Sequence, residues 1–364
     1  MSSSFLDLGI PPSSSTVSVK IFNIVDEPTL HTVKVPAAVF LSPVLPGHEN
    51  LGFPVFAFLI EHHATGKRVM FDLGPRADLE NTAPVIAEAV KAGVVAMPVK
   101  RDIVQQLKDE GVELGTLDAV IWSHAHFDHI GDMSKFPPSI DLVFSQEMNR
   151  SISDPKVQLQ PSDTATRKLV PLDFTNSPLV IGGFKSLDYF GDGSLYLLDV
   201  PGHLEGHICA LARATPTTFL FLAGDACFHP GLLRPTEELH HLYPYPSNLI
   251  TSTRRSISAT HFSSGPNGAE FDLTARTEPL LDIAESGYFE DPQLARKAIH
   301  EMRAFDMNPD VLVVCGHDES LISVVGKVPR LLDAWKENGL KEALVWAFLD
   351  ETNPAFRFNN IEST

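Results

Sequence analysis

The sequence predicts an α/β fold of four layers, an αβ/βα sandwich in which two mixed sheets pack face to face and helices cover their outer sides. Three observations lead there. Short β-branched and apolar runs alternate with stretches of helical spacing, and they do so twice, giving two halves of like design. Several of the runs end next to a glycine with a histidine or aspartate beside it. The 364 residues show no fixed-period repeat and no low-complexity tract, which sets aside an array architecture.

The elements follow in order. Residues 1–15 are polar and are expected to be a flexible start, and Thr16 to Val25 then reads as the first strand. Val55 to Glu61 and Arg68 to Leu73 should pair antiparallel, because the six residues between them have the polarity and the glycine of a turn. Thr82 to Ala92 and Ile103 to Leu107 carry helical spacing, with Gly93 and Gly111 placed to end them. Leu117 to Ser123 is a short buried strand that runs directly into a histidine cluster. Strands are expected again at Asp141 to Ser145, Leu195 to Val200, Ile208 to Ala212, Thr218 to Ala223 and Val311 to Val314. Residues 231–306 show no clear strand and one helix, Pro292 to Phe305, and are read as an insertion capping the site. Pro329 to Asn338 and Lys341 to Phe348 look helical, so that 16–350 forms a single domain followed by a tail at 351–364.

Bulk properties narrow the partners. A formal charge of −18 disfavours nucleic acids, whose binding depends on Lys and Arg neutralising phosphates. The N-terminus lacks the basic and apolar segments of a signal peptide, and no apolar run reaches the roughly 18 residues of a membrane span. Three cysteines are an odd number in a chain too long to need a disulfide frame. A small-molecule substrate and a reduced, cytoplasmic setting are therefore expected.

His124-Ala125-His126-Phe127-Asp128-His129 places four metal-ligating side chains in six residues at a strand exit. Imidazole nitrogen and carboxylate oxygen suit zinc or iron. An extended segment there can turn His124 and His126 one way and Asp128 and His129 another, so one loop can serve two metals. Further donors stand at three later strand exits, each beside a glycine: Gly202-His203, Gly224-Asp225 and Gly316-His317.

In this order, SHAHFDHIGD, VPGHLEGH, FLAGDA and VVCGHD, with the upstream aspartate of MFDLG, resemble the signature of the metallo-β-lactamase superfamily. The resemblance implies that His124, His126 and His203 bind one metal, that Asp128, His129 and His317 bind a second, and that Asp225 bridges them. It further implies two zinc ions, with iron or manganese as other divalent occupants, and Asp72 as a buried support for the ligands. Two cations about 3.5–4 Å apart share a water and lower its pKa, giving a hydroxide nucleophile at neutral pH, and Asp128 is placed to carry the proton to the leaving group. Departures from relatives refine the expectation. The most familiar β-lactamases have a cysteine where Asp225 stands, diiron oxygen reductases have a glutamate at the position of His126, and glyoxalase II-type thioesterases bring a basic C-terminal patch that this chain lacks. The sequence is most similar to the lactonase-like branch and to fungal relatives that open cyclic amides or carbamates such as benzoxazolinone. A thioesterase or other ester hydrolase, and a mononuclear iron dioxygenase of the persulfide type, are the alternatives. Quorum-quenching lactonases carry a tyrosine where this chain has Phe228, so either His229 or a lid residue is expected to take its role, or the metal alone suffices.

Other residues are weighed by position. His207 reads as a structural hydrogen-bonding residue, since proline and glycines around it oppose a helical ligand pair with His203. His62, His63, His240 and His241 read as exposed loop histidines, and Cys227 and Cys315 as buried small side chains. Phe127, Leu204, Phe228, His229, Tyr243 and Tyr245 lie in or after the ligand loops and are candidates to line a substrate pocket.

Overall fold

Alternation along the strands decides the layers. Side chains two residues apart share a face, so Val17, Val19 and Ile21 enter one apolar cluster while Phe22, next in line, enters another. The computed structural model describes residues 7–25, 35–44, 50–51, 53–149, 159–246, 276–285 and 287–349. In chain order its strands are β1 (Val17–Asn23), β2 (Val35–Pro36), β3 (Leu41–Ser42), β4 (Asn50–Leu51), β5 (Phe56–His62), β6 (Arg68–Phe71), β7 (Ala119–Ile121) and β8 (Asp141–Ser145). There follow β9 (Leu169–Leu172), β10 (Val180–Ile181), β11 (Phe184–Asp188), β12 (Leu195–Asp199), β13 (Ile208–Thr215), β14 (Thr218–Leu222), β15 (Asp282–Ile283), β16 (Val311–Val314) and β17 (Arg330–Leu331).

One sheet has the order β17-β1-β5-β6-β7-β8-β9 and the other β10-β11-β12-β13-β14-β16. Both are mixed: β6 to β9 run parallel, as do β14 and β16, and the remaining pairs are antiparallel. Between the sheets, Val19, Phe58, Phe71 and Ile121 share a buried cluster with Leu197, Ala210, Leu220 and Val314. On the outer face of the first sheet, Leu59, Met70 and Val120 pack with Ile103 and Leu107 of the helix Ile103–Asp109. On the outer face of the second, Leu211, Phe221 and Val313 pack with Ile299, Met302 and Phe305 of the helix Pro292–Met307. The result is the four-layer sandwich expected from the sequence. Among the described residues no helix is long and apolar enough to cross a membrane.

Four expectations change. His62, read as an exposed loop histidine, ends β5 and is buried, its ring stacked on Phe190 and its Nε2 2.8 Å from Asp192 Oδ2. Pro329 to Asn338 is not a helix: Arg330 and Leu331 pair with Ile21 and Lys20 and close the edge of β1, while Leu332 and Trp335 are buried between the sheets. Their spacing imitates a helix, but here it serves a strand and a turn. Within 231–306, Asp282–Ile283 forms a strand paired with Leu41–Ser42. The Ser-rich stretch 247–275 lies outside the described residues, as do 1–6 and 350–364. Residues 7–15 are anchored where a loose end was expected, because Leu8 and Ile10 are buried and the Pro11 carbonyl accepts from Arg213 Nη2 at 2.5 Å.

A buried ion pair ties the loop after β14 to the outer helix. Arg234 donates twice to Asp306, at 2.8 Å from Nε and from Nη2, and its Nη1 reaches the carbonyls of Leu344 and Val345. Neither residue is more than 1% exposed at its side chain. Removing one partner strands the other charge out of water. Asp306→Ala should therefore cost about 3–5 kcal/mol in a urea unfolding experiment, whereas replacing both residues by apolar ones of similar volume should cost much less.

Candidate metal centre

The site lies where strands of like direction end. β12, β14 and β16 run the same way, and His203, Asp225 and His317 stand just beyond their C-terminal ends. In the other sheet β6 and β7 are parallel, and Asp72 and His124 follow them. The amide of Ile208 donates to the carbonyl of Ser123 at 2.9 Å, tying the two sheets together beside the site. After His126 the chain enters a single helical turn, Phe127–Ile130, which swings Asp128 and His129 away from His124 and His126.

The donor atoms form two groups, His124, His126, His203 and Asp225 in one and Asp128, His129 and His317 in the other, all buried. In the first, His126 Nδ1 lies 2.9 Å from His124 Nε2 and 3.0 Å from His203 Nε2, and the last two are 3.3 Å apart. Ligands about 2.0–2.1 Å from a tetrahedral zinc stand about 3.3 Å from one another, so the triangle has nearly the size that such an ion requires. Asp225 faces both groups. Its Oδ2 is 3.6 Å from His124 Nε2 and 3.4 Å from His203 Nε2, while its Oδ1 is 3.1 Å from His129 Nε2 and 3.0 Å from His317 Nε2. Asp128 Oδ2 stands 3.7 Å from His129 Nε2 and 3.8 Å from His317 Nε2.

Several of these atoms are buried with no hydrogen-bond partner among the described residues: His129 Nε2, His317 Nε2 and Asp225 Oδ1. Such orphans are rare in folded proteins, and here three of them converge. A cation satisfies all three at once, so the donor set fits a divalent metal.

The far sides of the rings are tied down. His129 Nδ1 donates to Asp72 Oδ2 at 2.8 Å, and His317 Nδ1 donates to the Pro54 carbonyl at 2.8 Å, leaving each Nε2 to face the site. Asp72 also accepts from the Ser123 amide and hydroxyl, both at 2.7 Å. It does so from a φ of 58°, a left-handed conformation unusual outside glycine. His207 is structural, as its surroundings in sequence suggest: its Nε2 accepts from the Asp225 amide at 3.0 Å. Gly316 leaves room for Asp225, since a Cβ there would lie 2.8 Å from Asp225 Oδ1 and 2.5 Å from the Gly224 carbonyl oxygen.

The electrostatics match. Burial first, and the neighbouring His129 besides, push His124 well below the usual imidazole range, and burial likewise lowers His126 and His203. Burial pushes His207 down to about 3, keeping it an acceptor. Burial also opposes a charge on His129, but Asp225, Asp128 and Asp72 together outweigh it and hold that ring well above the ordinary value. Burial works against ionising Asp225 too, yet His129, His317 and His124 keep its carboxyl well below the carboxylate range. The field thus favours neutral imidazoles around one position and positive charge at the other.

A cavity of about 280 Å³ opens onto Asp128, Asp225 and His126. Its walls are apolar: Val35, Val39, Phe40 and Phe53 from one stretch, Val94 to Met97 from another, with Phe127, Phe228 and Tyr288. Phe127 and Phe228, two of the candidates for a pocket wall, are among these residues. His229, Tyr243, Tyr245 and Leu204 are not among the lining residues. His229 turns back through the helical turn Pro230–Leu232, its Nδ1 accepting from the Gly231 amide at 3.0 Å. Tyr245 packs on Trp346 at 4.1 Å, and the Tyr243 carbonyl accepts from the Trp346 indole, so both belong to the outer core. Leu204 packs on the first sheet's outer cluster. Phe53, stacked on His317 at 3.6 Å, and Tyr288 were missed because neither sits near a ligand motif.

The family comparison agrees with this geometry. Residues 51–259, more than half of the chain, match the model of the metallo-beta-lactamase superfamily, and the chain belongs to that family. It is 37% identical over 360 residues to metallo-hydrolase mfmC of Annulohypoxylon moriforme, covering 96% of this chain and 90% of that one. It is 34% identical over 362 residues to gamma-lactamase FDB1 of Fusarium pseudograminearum, covering 95% and 84%. A solved structure of N-acyl homoserine lactone hydrolase, with the product N-hexanoyl-L-homoserine bound at its catalytic metal centre, superposes with a TM-score of 0.55. That match, at 16% identity, covers 87% of this chain and 99% of the other, a likeness of fold. The chain is a metal-dependent hydrolase.

Asp72 offers a test of how the ligands are held. Asp72→Asn keeps the shape and tolerates the backbone but withdraws the charge that His129 and Ser123 point at. Metal affinity, measured by chelator competition, should fall about 10–100-fold with the fold intact.

Proposed function

We propose that this chain is a di-zinc hydrolase that opens a small neutral cyclic ester or amide, a lactone or lactam, with benzoxazolinone-like rings in the same class. The observation that carries the proposal is a small apolar cavity floored by two facing groups of buried donors that share one carboxylate. In this reading His124, His126 and His203 hold one ion, Asp128, His129 and His317 the other, and Asp225 lies between them. The ions, when bound, supply water activated at neutral pH and Lewis-acid polarisation of a carbonyl. Asp128 opens onto the cavity and is the residue proposed to hand a proton to the departing ring oxygen or nitrogen. Phe127 and Phe228 shelter the ring. Within 231–306, the described segment 287–291 is proposed to cover the site, since Tyr288 lines the cavity and Phe289 sits 5.7 Å from the His203 ring.

Two features support this substrate class. The cavity volume is at the small end for ligand sites, and its described lining includes no Lys or Arg. Apart from the proposed ions themselves, anionic thioesters and phosphodiesters would find no counter-charge in the described lining. The relative named metallo-hydrolase supports metal-dependent hydrolysis, and the one named gamma-lactamase supports a ring amide as substrate. Two complete donor groups favour hydrolysis over the mononuclear iron dioxygenase reading.

His126→Ala and Asp225→Ala should each lose metal and ring-opening activity together, kcat falling by at least about 1,000-fold because several kcal/mol of charge stabilisation goes with the ion. Dialysis against a chelator should silence the wild type and added zinc should restore it. Across a panel of lactones, lactams and thioesters, hydrolysis confined to anionic thioesters would sink the substrate assignment.

A further inference from the structure

The three cysteines of the chain all enter the apolar cluster on the outer face of the second sheet. Cys209 is committed to the backbone, its thiol donating to the Ala223 carbonyl at 3.1 Å. Cys227 and Cys315, 88 residues apart in sequence, face each other: the Cys315 thiol donates to Cys227 Sγ at 3.5 Å, and the Cys227 thiol donates in turn to the His229 carbonyl at 3.5 Å. Both are buried, at 0% and 1% exposed.

Their places in the chain join them to two donor loops. Cys227 follows Asp225 by two residues, and Cys315 precedes His317 by two. The parallel neighbours β14 and β16 carry these loops, and the Gly316 amide donates to the Cys227 carbonyl at 3.0 Å. Packing between the loops has no slack, since even a Cβ on residue 316 would lie 2.5 Å from the Gly224 carbonyl oxygen and 2.8 Å from Asp225 Oδ1. A disulfide requires its sulfurs about 2.05 Å apart. Closing the pair from 3.5 Å therefore pulls on both loops at once, and the strain falls on Asp225 and His317, whose facing atoms are 3.0 Å apart.

From this placement we infer that Cys227 and Cys315 are an oxidation site, which hydrogen peroxide converts to a disulfide, and that this disulfide and bound metal disfavour each other. One thiol takes an oxygen from the peroxide, whose O–O bond breaks, leaving a sulfenic acid and one water. The second sulfur displaces that hydroxyl, forming the S–S bond and releasing a second water. The sulfurs give up two electrons, the peroxide gains them, and both thiol hydrogens end in water. Burial keeps peroxide from the pair while the loops are closed. Bound metal holds them closed, because each loop supplies a donor, so loss of metal exposes the thiols. The coupling is reciprocal, and the oxidised chain binds metal more weakly. None of this depends on which ring the enzyme opens.

The test treats metal-free and zinc-loaded wild type with hydrogen peroxide and follows, by peptide mass mapping, a linked Cys227–Cys315 pair that has lost two hydrogens. The metal-free chain should form the link at least about 10-fold faster, because bound zinc suppresses opening by mass action. Zinc affinity of the oxidised chain, by chelator competition, should be about 10-fold or more weaker and should return on treatment with dithiothreitol. Cys227→Ala and Cys315→Ala should each abolish this reversible loss, and Cys209→Ala should retain it. Cysteines oxidised to sulfinic or sulfonic acid with no link between Cys227 and Cys315 overturn the inference, and the wild type alone decides that point. A link that forms equally fast with and without zinc, or that leaves zinc affinity unchanged, overturns the coupling.

Discussion

The Asp225 carboxylate, buried and faced on each oxygen by two imidazole nitrogens, is the constraint around which the rest is arranged. A charge removed from water must be matched closely or it destabilises the fold. Here the match is made by side chains from three other strand exits. That arrangement requires the strands to end together, and they do: β12, β14 and β16 share a direction, and β7 of the opposite sheet delivers the HxHxDH run against them. The apolar faces of Val19, Phe58, Leu197 and Leu220 hold the two sheets in contact, so packing in the middle of the sandwich fixes distances at its rim.

Support beyond the donors follows the same logic. Ser123, Asp72 and His129 form a chain of short hydrogen bonds that reaches from one strand end to the next. Pro54 and Phe53 do the corresponding work for His317, one through its carbonyl and the other through its ring. His207, kept neutral by burial, satisfies the Asp225 amide. Each of these removes a rotational freedom that a metal would otherwise have to freeze, which is why such partners matter to affinity without touching the ion.

How much of this is legible in the sequence depends on whether the signal is local. The HxHxDH run and the glycine-flanked residues His203, Asp225 and His317 are legible because a donor at a strand exit leaves a short, recognisable pattern. The sheets are legible because β1 alternates, while β5 and β14 are short continuous apolar runs of strand length. The cavity wall is not, for it is assembled from residues near 35–40, 53, 94–97 and 288, which carry no shared motif and meet only through the fold. Nearness in sequence misleads at His229, Tyr243 and Tyr245: the turn at Pro230–Leu232 takes the chain away from Asp225 and into the Trp346 cluster. Leu332 and Trp335 mislead in another way, since a spacing of three residues suits a buried turn as well as a helix.

The central claim is that one carboxylate joins two metal positions. Zinc titration of the metal-free protein, followed by calorimetry, tests it most directly. The account predicts saturation at two equivalents per chain; saturation at one equivalent, with no further heat on continued addition, would contradict it.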